Sequence, residues 1–98
     1  MVLNDVFWTV KEFGLVRSER QFSMQFLNKS ECYMRVLRHS QNTPSVLALA
    51  VCAEQLQRHA ATLSSASSQK SAQLSILAER CYDAIRRIAR QNCEVLEV

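Results

Sequence analysis

The chain has 98 residues, 48% of them hydrophobic, which is enough for one domain with one hydrophobic core. Glycine and proline occur once each, and this scarcity of turn residues argues against an all-β fold, in which every hairpin needs them. The net charge is +3, and all of the excess lies in residues 28–70, which have five basic and two acidic side chains. A mildly basic middle third is weak support for a polyanionic partner.

The pattern of residues predicts no enzyme, no cofactor, no metal site and no small-molecule substrate. The four cysteines, at positions 32, 52, 81 and 93, do not have the spacing of a zinc site. With Gly14 as the one glycine, a glycine-rich phosphate loop is excluded. No apolar run approaches the roughly 18 residues of a membrane span, and the first residues do not have the pattern of an export signal. We therefore expect a cytoplasmic protein with free thiols and no membrane partner.

Two helices are predicted in the first third of the chain. The first has apolar residues at helical spacing from Leu3 to Phe13, with Asn4 as its cap and Gly14 as its left-handed end. The second begins with a capping box formed by Ser18 and Gln21.

The middle of the chain predicts two more helices. A turn at Leu27-Asn28-Lys29 follows the second helix, because asparagine tolerates the left-handed conformation. Ser30 then caps a third helix. Thr43 and Pro44 suit the cap and first position of a fourth helix, which runs to about residue 63.

A long helix is predicted at the end of the chain. The segment 64–71 is rich in serine and has the composition of a connector, so we divide the chain into a helical domain 1–63, this connector, and a C-terminal helix 72–98. The predicted fold is all-α, a compact bundle of about five helices. An apolar seam repeats every three or four residues along the last helix, at Leu74, Leu77, Cys81, Ala84 and Ile88.

Two partners fit this seam. It packs either on helix four of the same chain or on its copy in a homodimer, and the dimer is favoured because a short chain gains stability by burying such a seam.

Residues 22–56 resemble the lambda-repressor-like (Xre-type) helix-turn-helix superfamily. In that family an apolar and a small residue begin helix two, as Phe22 and Ser23 do here. The recognition helix then opens with a cap such as Ser30 and has apolar residues four and seven positions later. A Pro-Ser pair opens the next helix fourteen residues after the cap, which matches Pro44 and Ser45. The turn is one residue longer than the family's usual turn.

The resemblance implies sequence-specific binding of duplex DNA by helix three, Ser30 to His39, as a small transcriptional regulator. A recognition helix presents its N-terminal and outward side chains to the major groove. The candidate contacts to bases and phosphates are Lys29, Ser30, Glu31, Tyr33, Arg35, Arg38, His39 and Asn42. Among them Arg35 suits guanine, whose discrimination by a bidentate arginine is worth roughly 1–3 kcal/mol.

An alternative function is open. A helical adaptor with the same fold would bind protein instead of DNA, using the apolar C-terminal seam. The two hypotheses differ in salt dependence, because contacts to phosphates weaken steeply as salt rises and apolar contacts do not.

Overall fold

The computed structural model describes residues 2–40 and 43–96, with side chains described as far as residue 93. This part of the chain consists of five α-helices without a β-strand, which confirms the predicted all-α class and the long C-terminal helix. The helices are α1 (Val2–Glu12), α2 (Glu19–Phe26), α3 (Tyr33–Ser40), α4 (Val46–Leu63) and α5 (Ser68–Leu96). None of the described helices is long and apolar enough to cross a membrane.

The end of α1 confirms the role predicted for Gly14. Its φ is +78°, its N–H donates to the Lys11 carbonyl at 3.0 Å, and the Leu15 N–H donates to the Val10 carbonyl at 2.9 Å. These two bonds form a Schellman motif, which satisfies carbonyls that a helix end leaves unpaired. The predicted cap at Asn4 is wrong, because α1 begins at Val2 and Asn4 lies inside it.

The start of α2 forms the predicted capping box with one difference. The Ser18 hydroxyl accepts from the Gln21 N–H at 3.2 Å, as expected. The Gln21 side chain, however, accepts from the N–H of Arg17 at 2.6 Å, one residue before the cap. The box therefore fixes the chain as it enters α2.

The connection between α2 and α3 is longer than predicted. Asn28 has a φ of +52°, as expected for this position, but α3 begins at Tyr33 instead of directly after Ser30. A turn at residues 31–32 comes first, closed by the Tyr33 N–H donating to the Ser30 carbonyl at 3.1 Å. Residues 27–32 thus join the two helices.

The cap of α4 was predicted two residues too early. The residue in this role is Ser45, whose hydroxyl accepts from the Ala48 N–H at 3.1 Å. Thr43 and Pro44 precede the helix, outside regular secondary structure. Starting α4 after Ser45 puts Ala48 and Leu49 of its first turn in the core, where both are buried.

The helices α4 and α5 form a hairpin across a short connector. The α5 helix starts at Ser68, earlier than predicted, because the Ser67 hydroxyl accepts from the Lys70 N–H at 3.3 Å and caps it. The Ser71 hydroxyl donates to the Ala60 carbonyl at 2.8 Å and ties α5 to α4. Between α4 and α5, only residues 64–67 lie outside a helix, so residues 68–71 of the predicted serine-rich connector are helical.

One core contains side chains from all five helices. An aromatic series crosses it from α1 to α4: Phe7 contacts Phe22 with ring centroids 5.6 Å apart, Phe22 stacks on Phe26 at 5.5 Å, and Phe26 stacks on His59 at 5.2 Å. This series fixes α2 between α1 and α4. The largest fully buried side chains include Phe22, Phe26, Leu3, Leu27, Met34, Leu49, Leu56 and Leu74.

Candidate nucleic-acid interface

Two ion pairs connect α2 to the residues that follow it, one to α3 and one to the loop 27–32. The guanidinium of Arg38 is bidentate on the Glu19 carboxylate, with Nη2 donating to Oε1 at 2.8 Å and Nη1 donating to Oε2. The Arg20 Nε lies 2.7 Å from a Glu31 carboxylate oxygen. Exposed pairs of this kind contribute about 0–1 kcal/mol each to stability. Two of the predicted DNA contacts, Glu31 and Arg38, are therefore already paired within the chain.

A third predicted contact, Tyr33, is hydrogen-bonded to the residue that caps α4. Its hydroxyl accepts from the Ser45 N–H at 3.2 Å, and the Lys29 ammonium lies 5.7 Å from the centre of its ring. Tyr33 is half-buried and packs against the core. Its hydroxyl is thus used for the α4 cap, while Lys29 keeps its ammonium near the protein surface.

The remaining predicted contacts lie at the surface or outside the described residues. Ser30, Arg35 and His39 are exposed. Arg35 donates from Nη2 to the Cys32 sulfur at 3.2 Å and has no carboxylate partner among the described side chains. Asn42 lies outside the described residues.

The charges on this face remain positive after the ion pairs are formed. Glu19 and Glu31 neutralise one arginine each. Arg17, Lys29 and Arg35 are left, and no described carboxylate pairs with them. The α2–α3 face, defined as residues 17–40, therefore has an excess of three positive charges.

The apolar seam of α5 packs inside the chain. Leu74, Leu77 and Cys81 are buried in the hairpin with α4, whereas Ala84 and Ile88 are half-buried. The sequence leaves open whether the seam packs on helix four or on a second copy of the chain. In this structure the five residues of the seam pack within the chain, in the hairpin with helix four. A homodimer remains a prediction, and it needs a surface other than the three buried side chains.

Two thiols meet in the hairpin. Cys52 of α4 and Cys81 of α5 are both fully buried. A hydrogen bond to Cys81, together with burial, raises the pKa of the Cys52 thiol far above its ordinary value. The two sulfurs act as small apolar groups in the core.

Sequence reasoning missed a groove lined by arginines along α5. The groove has a volume of about 700 Å³ and is lined by Val2, Arg80, Asp83, Arg86, Arg87 and Arg90. It was overlooked because the four arginines and four carboxylates of residues 71–98 cancel in a sum over the segment. The spacing of the arginines along the helix could have indicated the groove, because residues three, four and seven apart lie on the same face of a helix.

Over residues 2–40 and 43–96, the fold is five helices around one core, with a basic α2–α3 face. The chain belongs to a family of unknown function, DUF6626, whose model matches residues 3–94. No curated protein and no solved structure matches the chain.

Proposed function

We propose that this chain binds duplex DNA through the α2–α3 face and acts in the cytoplasm as a small transcriptional regulator. The observation that carries the proposal is the position of Arg35. Its guanidinium is exposed on α3 without a carboxylate partner among the described side chains, and its neighbours on α2 are held in place by ion pairs. An arginine presented in this way is the usual side chain for a guanine edge in the major groove.

The other residues of the face have supporting roles in this proposal. Arg17 and Lys29, with His39, suit contacts to phosphates, which give affinity without sequence information. Val36 is 55% exposed next to Arg35, and an apolar side chain there suits the methyl group of thymine. In this proposal Arg38 supports the face through its bond to Glu19, which holds α3 on α2.

The test is selection from a random duplex pool at low and at physiological salt, followed by sequencing of the retained DNA. We expect enrichment of a short site, roughly palindromic if the chain binds as a homodimer. Affinity for that site is expected to fall steeply with rising salt, because several phosphates are neutralised on binding.

A variant pair sharpens this test. Arg35→Ala is expected to weaken binding to the selected site at least about fivefold, in line with the loss of roughly 1–3 kcal/mol of base contact. Arg58→Ala is the matched control, because Arg58 is an exposed arginine on α4 whose ion pair is with Glu54 of the same helix. Both variants are expected to keep the circular dichroism of the parent. Undiminished binding by Arg35→Ala, or no retention of DNA at low salt, would show the proposal to be wrong.

The adaptor alternative has an observation of its own. Trp8, Leu47 and Ile76 are large apolar side chains, each more than 60% exposed. Large exposed apolar side chains are typical of protein-binding surfaces when they form a contiguous patch. An adaptor would bind its partner with little dependence on salt and would retain no DNA.

A further inference from the structure

The arginine groove of α5 contains more positive charge than its own carboxylates neutralise. Arg80 donates to Asp5 of α1 at 2.7 Å, and Arg86 donates to Asp83 at 2.6 Å. Arg87 and Arg90 line the same groove and have no ion pair with any described side chain. Among the described side chains, the groove therefore presents two guanidinium groups without a counter-charge.

The arrangement of these arginines follows from the helix. Residues three and four apart are neighbours on a helix surface, so Arg90 is a neighbour of both Arg86 and Arg87, and all three line the groove. Each guanidinium is a planar fork of N–H donors that matches two oxygens of a phosphate group. A doubly charged oxyanion placed between Arg87 and Arg90 would neutralise both.

An apolar depression adjoins the arginine groove. It has a volume of about 280 Å³ and shares Val2 and Arg87 with the groove. Its further lining is mostly apolar, with two polar residues at its edge: Pro44, Leu49, Ala84, Ile88, Thr43 and Gln91. A cation-lined groove that opens into an apolar depression is complementary to a molecule with one anionic end and one apolar end. The two volumes together are of the order of a small-molecule site, about 300–1,000 Å³.

We propose that the two adjoining depressions form one binding site for a small organic phosphate. The phosphate group lies on Arg87 and Arg90, with Arg86 at the side, and the apolar part of the molecule covers Ile88 and Pro44. This proposal does not depend on DNA binding, because the groove lies on α5 and contains no residue of the α2–α3 face.

The first experiment is a calorimetric titration of the full chain with phenyl phosphate and with inorganic phosphate. We expect phenyl phosphate to bind at least fivefold more tightly, because only its ring reaches the apolar depression. The double variant Arg87→Gln, Arg90→Gln is expected to lose at least tenfold in affinity for both ligands. Its matched control is Arg58→Gln, Lys70→Gln, which has the same net charge with both exposed residues outside the groove and outside the α2–α3 face, and should bind as the parent does.

Two further variants test the two ends of the site separately. Asp83→Asn removes a carboxylate from the groove and releases Arg86, so affinity for both ligands is expected to rise. Ile88→Ala shortens an apolar side chain in the depression and is expected to remove most of the advantage of phenyl phosphate while inorganic phosphate binds as before.

Several results would overturn the proposal. Absence of binding at millimolar ligand, or equal losses in the groove variant and its charge-matched control, would show that no site exists. Loss of duplex DNA binding in Arg87→Gln, Arg90→Gln, in a protein that binds neither phosphate ligand, would assign the groove to nucleic acid instead. Arg35→Ala distinguishes the two proposals, since it is expected to leave the phosphate titration unchanged whether or not the chain binds DNA.

Discussion

The α4–α5 hairpin and the α2–α3 pair are both two-helix units, but different contacts hold them in place. In the hairpin, Leu56 and Leu74 are fully buried together with the thiols of Cys52 and Cys81. The α2–α3 pair buries its apolar side chains against the rest of the core, and the contacts between its two helices include exposed ion pairs, such as Arg38 with Glu19.

This difference separates the α4–α5 hairpin, whose buried side chains stabilise the fold, from the α2–α3 face, whose charged side chains are available for binding. Burial of apolar surface is not weakened by ionic screening, whereas exposed ion pairs are. We therefore expect the hairpin to resist changes of ionic strength and of surface residues, and the α2–α3 face to respond to both. The following experiments test that expectation.

The largest expected effect is the loss of a leucine from the hairpin. Leu56→Ala is expected to lower the free energy of unfolding by about 2–5 kcal/mol, because it removes buried methyl groups and leaves a cavity. The control is Leu47→Ala on the same helix, where the side chain is 63% exposed and the expected change is within about 0.5 kcal/mol. Urea denaturation measures both, and similar losses would show that α4 does not bury the face described here.

The four thiols provide a second measure of the hairpin. Cys93 is exposed and Cys32 is half-exposed, whereas Cys52 and Cys81 are buried. The raised pKa of Cys52, caused by its hydrogen bond to Cys81 and by burial, further disfavours the reactive thiolate. We expect iodoacetamide to modify Cys93 first and Cys52 at least a hundredfold more slowly, as followed by mass spectrometry of peptides. Equal rates in the folded protein would mean that the hairpin opens readily.

The smallest expected effect concerns the ion pair between α2 and α3. A double-mutant cycle of Glu19→Gln and Arg38→Gln is expected to give a coupling of at most about 1 kcal/mol at low salt. The coupling should shrink at 1 M salt, where the Debye length is about 3 Å. The same cycle on Glu54 and Arg58, an exposed pair four residues apart on α4, is the control, expected at about 0.3–0.5 kcal/mol. A coupling that persists at 1 M salt would mean that the Glu19–Arg38 pair is not held by screened electrostatics.

Much of the fold follows from local signals in the sequence. The apolar spacing predicted five helices, and Gly14 and Asn28 adopt the left-handed conformation for which these residue types are suited. The errors occur where neighbouring residues compete for one role. Thr43 and Ser45 are both good caps, and the choice of Ser45 depends on which residues of α4 reach the core.

The candidate site was less predictable, because its contacts join distant parts of the chain. Arg38 and Glu19 are 19 positions apart, and their pairing depends on how α3 packs on α2. Arg80 and Asp5 are 75 positions apart. The sequence indicated which side chains of α3 are exposed, such as Arg35, but the pairing of each charge required the tertiary structure.

The length of α5 determines how the molecule rotates in solution. Its 29 residues extend about 44 Å, while the molecule measures 50 × 26 × 17 Å, so α5 must lie nearly along the long axis. The radius of gyration, 14.1 Å, accordingly exceeds the roughly 13 Å of a round domain of about 100 residues. Rotational diffusion is therefore anisotropic, and the amide N–H vectors of α5, which are parallel to this axis, reorient more slowly than those of helices that lie across it.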